Sequence, residues 1–236
     1  MSQLKYKYKF NKILSIIILI ITVGLMYLYY EDTYSISSNS DELGNAISDY
    51  IFTENLKAEV VLIQKENNWM YVLFTDKRYG NSFKGLARLK RGWNRKYTIY
   101  GADYGSGYPV SHYFFANGEE KFVIYGMFPD ENAVRYEYIN TGLTYKNLAE
   151  YSGAITNKAF IQVCNNGEPD WEGIHLYDSM GKNITKDYND TRINNTPTAS
   201  VATAELFMVN IICGFIFIVG FAISFLCWRT KKENNP

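Results

Sequence analysis

The sequence WMYVLF at residues 69–74 has apolar side chains at both odd and even positions. Successive side chains of a strand point to opposite faces of the sheet, so a strand of this composition must be covered on both sides. The sequence FVIYGM at residues 122–127 has the same character. Both segments are therefore predicted to be central strands, with an earlier helix as one of the covering layers.

The region around these segments, from Ala58 to about Tyr177, is rich in β-branched and aromatic residues and interrupted by Gly, Asn and Asp. This pattern is typical of short antiparallel strands joined by turns. We predict strands at residues 59–63, 69–75, 83–90, 96–102, 121–128, 134–139, 158–164 and 173–177. The Gly- and Tyr-rich segment 101–109 is expected to be a loop. The predicted fold class is α+β, mostly β, with antiparallel sheets.

One helix is predicted just before the strands. Ser40 is a suitable N-cap, and the carboxylates of Asp41 and Glu42 favour the positive end of a helix dipole. Apolar residues then recur at helical spacing through positions 43–51. The domain therefore begins with one amphipathic helix.

Two long apolar segments flank this domain. Residues 13–30 and residues 206–228 contain no charged side chain, and each is long enough to cross a bilayer as a helix. A cleaved signal peptide is the alternative for the first segment, but bulky residues at 26–30 replace the small residues of a cleavage site. We expect two transmembrane helices, with Tyr27, Tyr29 and Tyr30 in one interfacial belt and Trp228 in another.

Basic residues lie on the outer sides of both apolar segments: Lys5, Lys7, Lys9, Lys12, Arg229, Lys231 and Lys232. The positive-inside rule then places both termini in the cytoplasm and the central domain on the extracytoplasmic side of the cell membrane. The expected organisation is a basic tail (1–12), a transmembrane helix (13–30), a tether (31–40), the β-rich domain (41–186), a stalk (187–204), a second transmembrane helix (205–228) and a second tail (229–236).

The sequences KFVIYG at 121–126 and IHLYDSMGK at 174–182 resemble those of uncharacterised membrane-anchored ectodomain proteins of low-GC Gram-positive bacteria. The resemblance covers about residues 59–182. It implies a β-rich surface module, and it implies no activity and no site residues.

Charge is unevenly distributed along the domain. Residues 77–96 contain eight basic and no acidic side chains. Within this basic segment, Phe83, Ala87 and Leu89 alternate with cations, so one strand face is expected to lie in water. The candidate ligand-binding residues are Lys84, Arg88, Lys90, Arg91, Trp93, Arg95 and Lys96. An anionic envelope polymer, lipid headgroups or an acidic partner protein would suit them, whereas a solvated face paired with carboxylates is the alternative. Nucleic acid is not expected outside the cell.

Catalytic and metal signatures are sparse. Cys164 and His175 lie on two neighbouring predicted strands, and a thiolate–imidazole pair is the one catalytic arrangement available. A buried structural cysteine is the alternative, and the domain has no second cysteine for a disulfide. The two histidines, His112 and His175, are far apart in sequence, so we expect neither a metal site nor a cofactor.

These observations favour a non-enzymatic envelope protein that is embedded in the lipid bilayer and binds an anionic polymer or a partner membrane protein. Two alternatives stay open. One is a membrane-tethered enzyme that acts on envelope substrates, with Cys164 and His175 as its weak catalytic candidates. The other is an accessory subunit of a transport or secretion complex.

Overall fold

The computed structural model describes residues 2–51, 56–78, 80–106, 108–114, 121–139, 150–165, 173–189, 199–202 and 205–229. The helices in these ranges are α1 (Ser2–Thr33), α2 (Ser40–Tyr50), α3 (Thr185–Asn189) and α4 (Glu205–Arg229). The strands are β1 (Ala58–Glu66), β2 (Trp69–Asp76), β3 (Gly80–Arg91), β4 (Tyr97–Ser106), β5 (Val110–Phe114), β6 (Lys121–Met127), β7 (Arg135–Ile139), β8 (Glu150–Ala154), β9 (Ala159–Asn165), β10 (Ile174–Tyr177) and β11 (Ala199–Ala202).

The helices α1 and α4 flank the β-rich region, as the sequence predicts. Each is long and apolar enough to cross a membrane, over Asn11–Thr33 in α1 and Met208–Trp228 in α4. Most of their large apolar side chains are exposed to the surroundings of the protein. This exposure is what a helix surrounded by lipid requires.

The same two helices pack against each other in antiparallel orientation. The hydroxyl groups of Ser15 and Ser224 are hydrogen-bonded to each other near one end of the pair. Farther along, Thr22 lies so close to Gly220 that a Cβ atom on Gly220 would be 2.1 Å from the Thr22 Oγ1 atom. Glycine at this position therefore permits the close approach of the two helices.

Helix α2 covers one face of the largest sheet. Its N-cap is Asn39, whose side-chain oxygen accepts a hydrogen bond from the Asp41 N–H at 3.0 Å. The prediction of Ser40 as the cap was therefore wrong by one residue. Leu43 and Ile47 are fully buried in the core cluster that α2 forms with β2, β3 and β4.

The strands in the described ranges form three antiparallel sheets. Sheet A has the strand order β1-β2-β3-β4-β11, sheet B the order β5-β6-β9, and sheet C the order β10-β7-β8. Strands β1 to β4 follow one another as consecutive hairpins. Strand β11 pairs with β4, so a segment just before α4 completes the edge of sheet A.

The core is divided among the layers. Leu73 and Leu86 of sheet A pack with Val123 and Ile161 of sheet B. On the far side of sheet B, a second cluster joins it to sheet C. The layers are therefore α2, sheet A, sheet B and sheet C, in that order.

The prediction of two central strands is confirmed. Strand β2 lies between α2 and sheet B, and seven of its eight residues are buried. Strand β6 lies in the middle of sheet B, between sheets A and C. Their apolar residues at both odd and even positions reflect this double coverage.

The eight predicted strands correspond to β1, β2, β3, β4, β6, β7, β9 and β10. The expectation of a loop at residues 101–109 was wrong over most of its length, because β4 continues to Ser106 and β5 begins at Val110. Strands β5, β8 and β11 were not predicted.

The segment expected to be a tether is held against sheet A. The backbone N–H groups of Ile36 and Tyr97 each donate a hydrogen bond to the other residue's carbonyl oxygen, at 3.1 and 2.8 Å. Within the expected stalk, the described residues contribute to α3 and β11, and residues 190–198 lie outside the described ranges. Helix α1 is thus joined to the domain by only a few residues that are themselves paired.

Candidate functional site

The basic segment, residues 77–96, is divided by the structure into three parts with different environments. Its start lies at one end of sheet A, its middle is the strand β3, and its end is the turn between β3 and β4. We define the basic tip as Arg91, Trp93, Arg95 and Lys96, all of which are exposed.

The start of the segment is occupied by internal pairs. Arg78 forms an ion pair with the buried carboxylate of Asp76 at 2.6 Å, and the Tyr104 hydroxyl donates a hydrogen bond to the same carboxylate at 3.0 Å. Burial raises the pKa of Asp76, but these hydrogen bonds outweigh burial and hold the pKa below its ordinary value. The Asp76 carboxylate therefore has its partners within this end of sheet A.

An open polar pocket of about 390 Å³ adjoins this end. It is lined by Lys77 of the basic segment, by Asp41 of α2 and by Glu59 of β1. The opposing charges give it no preference for an anionic ligand.

The middle of the segment is buried, and this corrects the expectation of a face in water. Lys84 and Arg88 are each only 3% exposed, because sheet B covers the face of β3 that carries them. Arg88 stacks on the ring of Trp69 with 3.5 Å between the guanidinium carbon and the ring centroid. The half-buried Lys90 lies 5.6 Å from the same centroid. Lys84 and Arg88 are thus removed from the candidate binding surface.

Lys84 is a buried cation whose side chain has no ion pair among the described residues. It lies opposite Thr75 of β2 and Ser106 of β4 in the sheet. Burial lowers the pKa of Lys84 to about 7, because the charged ammonium loses its hydration.

A polar network lies close by between sheets A and B. The hydroxyl of the fully buried Tyr125 donates a hydrogen bond to the Asp103 carboxylate at 3.4 Å. Burial raises the pKa of both Asp103 and Tyr125. Burial also raises the pKa of Tyr113 on β5; the Asp103 carboxylate raises it further, and the Arg88 guanidinium opposes the shift. The hydrogen bond between Tyr125 and Asp103 therefore joins sheet B to sheet A.

The end of the segment docks on the last turn of α1. The backbone N–H of Trp93 donates a hydrogen bond to the Tyr30 hydroxyl at 2.8 Å, and the Asn94 amide donates one to the Tyr34 carbonyl at 2.8 Å. The ring centroids of Tyr30 and Trp93 are 4.8 Å apart in an edge-to-face arrangement. Lys96 approaches the carboxylate of Glu31 at 3.6 Å.

Glycine at position 92 makes this docking possible. A Cβ atom there would be 2.7 Å from the Tyr30 hydroxyl and 2.7 Å from the Tyr34 ring, and Tyr34 is itself buried. The turn is closed by a hydrogen bond from the Gly92 N–H to the Lys96 carbonyl at 2.8 Å. The position of the basic tip relative to α1 is therefore fixed by close contacts.

The outer side of the basic tip remains accessible. The side chain of Trp93 is 74% exposed although its backbone is bound to Tyr30. Arg91 and Arg95 are exposed, and no carboxylate in the described part of the chain forms an ion pair with either of them. Arg91, Trp93 and Arg95 thus present two positive charges and an aromatic ring to the surroundings.

The structure does not bring Cys164 and His175 together as a reactive pair. Cys164 is fully buried between sheets B and C, in the same cluster as Ile174 and Leu176. His175 lies between these two residues on β10, so its side chain points away from that cluster, towards Asn183. Burial raises the pKa of the Cys164 thiol to about 12, which opposes formation of a thiolate.

A metal site is equally unsupported in the described ranges. No group of three or more His, Cys, Asp or Glu side chains lies there in an arrangement able to hold an ion. His112 is half-buried on β5, and burial lowers its pKa.

The chemistry available at the basic tip is therefore recognition of an anion by exposed guanidinium groups and an indole ring. Sequence reasoning identified these residues but missed Tyr34 and the contact with α1, because the pairing of a turn with a distant helix leaves no local pattern. The placement of Tyr30 at the end of an apolar segment was the one signal available. Comparison with protein-family models, with curated proteins and with solved structures finds no match to this chain.

Proposed function

We propose that this chain is a two-pass membrane protein whose extracytoplasmic domain is a non-enzymatic module that binds an anionic component of the cell envelope through the basic tip. The domain begins with the amphipathic helix α2, and the helices α1 and α4 hold it at the membrane. The observation that carries this proposal is the exposure of Arg91, Trp93 and Arg95 on a turn that is fixed to α1.

The fixed backbone of the basic tip supports a binding role. A flexible basic loop would lose conformational entropy on binding, whereas this turn is already ordered by its contacts with Tyr30 and Tyr34. Exposed arginines without a protein carboxylate in the described ranges also retain their full charge for a ligand. Burial of Lys84 and Arg88 leaves the basic tip as the main cationic surface of the segment.

The test is binding of the full chain, embedded in lipid nanodiscs, to purified envelope material across a salt series. The double variant Arg91→Gln/Arg95→Gln is expected to weaken binding and to reduce its dependence on salt, because two charge contacts are lost. The matched control is Lys182→Gln/Lys186→Gln, which removes two exposed charges near sheet C. Binding that is unchanged in the first variant would contradict the proposal.

A further inference from the structure

The contact between the basic tip and α1 determines how deep the tip would lie in a bilayer that α1 spans. The rise from Lys12 to Tyr30 is about 27 Å at ~1.5 Å per residue, which is close to the ~30 Å hydrocarbon thickness of a bilayer. Lys12 lies 4.9 Å from the ring of Trp228 at one end of the helix pair. Tyr30 contacts Trp93 at the other end. When α1 spans a membrane, the Trp93 ring is thus placed near the level of the lipid headgroups.

The side chains at this level suit that environment. Tryptophan is enriched at membrane interfaces because its ring is apolar and its N–H is polar. The guanidinium groups of Arg91 and Arg95 favour anionic lipid, typically by about fivefold in affinity for each basic residue near the surface. At the same end of sheet A, Lys65 and Glu66 have opposite charges and largely cancel each other.

Lipid is favoured over a polymer by the position of the basic tip. The turn is packed against the end of a helix whose apolar residues are exposed around it, so the molecules that surround that helix are already next to the turn. A wall polymer would have to enter the space between the domain and the bilayer. An anionic lipid needs only to diffuse within its own leaflet.

We infer that the basic tip binds the phosphate headgroups of anionic lipids in the leaflet at the Tyr30 end of α1, with the Trp93 ring inserted between the headgroups. This inference rests on the proposed function and specifies the ligand of the same surface. Arg91 and Arg95 contact phosphate, while Lys96 remains paired with Glu31 at 3.6 Å.

The test uses the full chain in nanodiscs of phosphatidylcholine alone and of phosphatidylcholine with one third phosphatidylglycerol. The fluorescence of Trp93 is obtained as the difference between the wild type and Trp93→Phe, since other tryptophans are present. Anionic lipid is expected to shift this emission to the blue and to lower its quenching by acrylamide about twofold. The shift should disappear in about 1 M NaCl, where the Debye length is about 3 Å.

The arginine variants separate the possible outcomes. Arg91→Gln/Arg95→Gln should abolish the lipid-dependent shift, and Lys182→Gln/Lys186→Gln should retain it. A Trp93 signal that is the same in both bilayers would overturn the inference. If Trp93 did not respond to anionic lipid but Arg91→Gln/Arg95→Gln lost binding to lipid-free envelope polymer, the ligand would be the polymer and the proposed function would stand. If the double variant kept both the lipid-dependent shift and the binding to polymer, the lipid inference and the proposed function would both fail.

Discussion

The backbone N–H of Trp93 donates a hydrogen bond to the hydroxyl oxygen of Tyr30 across 2.8 Å. These residues are far apart in sequence, one in a turn of sheet A and the other near the end of an apolar helix. The contact links the exposed basic tip to the helix that would cross the membrane. The orientation of the domain relative to α1 is therefore set at this point.

Gly92→Ala and Tyr30→Phe are each expected to loosen this contact. The first change places a Cβ atom against the Tyr34 ring, and the second removes the acceptor of the Trp93 N–H. A hydrogen bond of this kind contributes about 1 kcal/mol, so amide exchange in the turn should become roughly fivefold faster. Hydrogen exchange with mass spectrometry measures the exchange rate of these amides. Gly24→Ala is the control, since a Cβ there meets nothing within 4 Å; equal exchange in all variants would contradict the role of the contact.

Lys84→Met should stabilise the protein at neutral pH. The pKa of Lys84 is about 7 when folded and 10.5 in its ordinary range, so between these values the unfolded chain binds a proton that the folded chain lacks. Wild-type stability from this group therefore rises as the pH increases from about 7 towards 10.5. At pH 7 the wild type carries the free-energy cost of burying an ammonium group that would be charged in the unfolded chain. Lys84→Met does not carry this cost, so its melting temperature at pH 7 should be higher, by the equivalent of a few kcal/mol.

Thermal unfolding of both proteins across this pH range measures the effect, and the advantage of the variant should shrink as the pH rises. Lys182→Met, at an exposed position, is the control. An equal pH dependence in wild type and Lys84→Met would show that Lys84 is hydrated in the folded protein.

Cys164 should be unreactive in the folded protein. Its thiol is buried and its pKa is raised to about 12, so little thiolate is present at neutral pH. In a Cys213→Ser/Cys227→Ser background, alkylation should be slow, with no titration midpoint near neutrality, and should become rapid in denaturant. Fast labelling of the folded protein with a midpoint near pH 7 would restore the hypothesis of a membrane-tethered enzyme.

Gly220→Leu should separate the helices α1 and α4, because the new side chain collides with Thr22. The separation can be measured as the yield of a disulfide between Ser15→Cys and Ser224→Cys in the same cysteine-depleted background. Gly214→Leu is a matched control, since a Cβ at Gly214 has no neighbour within 4 Å. A high yield with both leucine variants would argue against the close approach at Gly220.

The strands that sequence reasoning found are those with a strong apolar signal. Residues 69–74 of β2 and 122–127 of β6 have apolar side chains at both odd and even positions because two layers cover these strands, and a pattern of this kind can be recognised in the sequence. β8, with the sequence EYSGA, has no run of apolar residues and forms as the partner of β7. Its existence depends on a neighbour, which a local pattern does not reveal.

The site was predicted only in part for the same reason. The alternation in β3 indicated one wet face, but that face carries Leu86 and is covered by sheet B, with Trp69 stacked on the Arg88 guanidinium. Cation–π stacking lets a buried strand contain arginine, and the pattern of charged and apolar residues does not distinguish this from exposure. The sequence predicts residues 91–95 between the strands 83–90 and 96–102, and the structure has them at the end of β3 and in the turn before β4, whereas the contact of this turn with α1 required the three-dimensional fold.

The depth of the basic tip in a bilayer shows most directly whether Trp93 lies among the lipid headgroups. Spin labels would be attached at Trp93→Cys and, as a control, at Lys77→Cys in the full chain with the Cys213→Ser/Cys227→Ser background, in nanodiscs. Lys77 is exposed at the opposite end of β2, roughly 25 Å from the turn at ~3.3 Å per residue. Collision with oxygen and with a water-soluble nickel complex should place the label at 93 at the headgroup level and the label at 77 in bulk water. Equal, fully aqueous accessibility at both positions would show that the basic tip does not reach the headgroups.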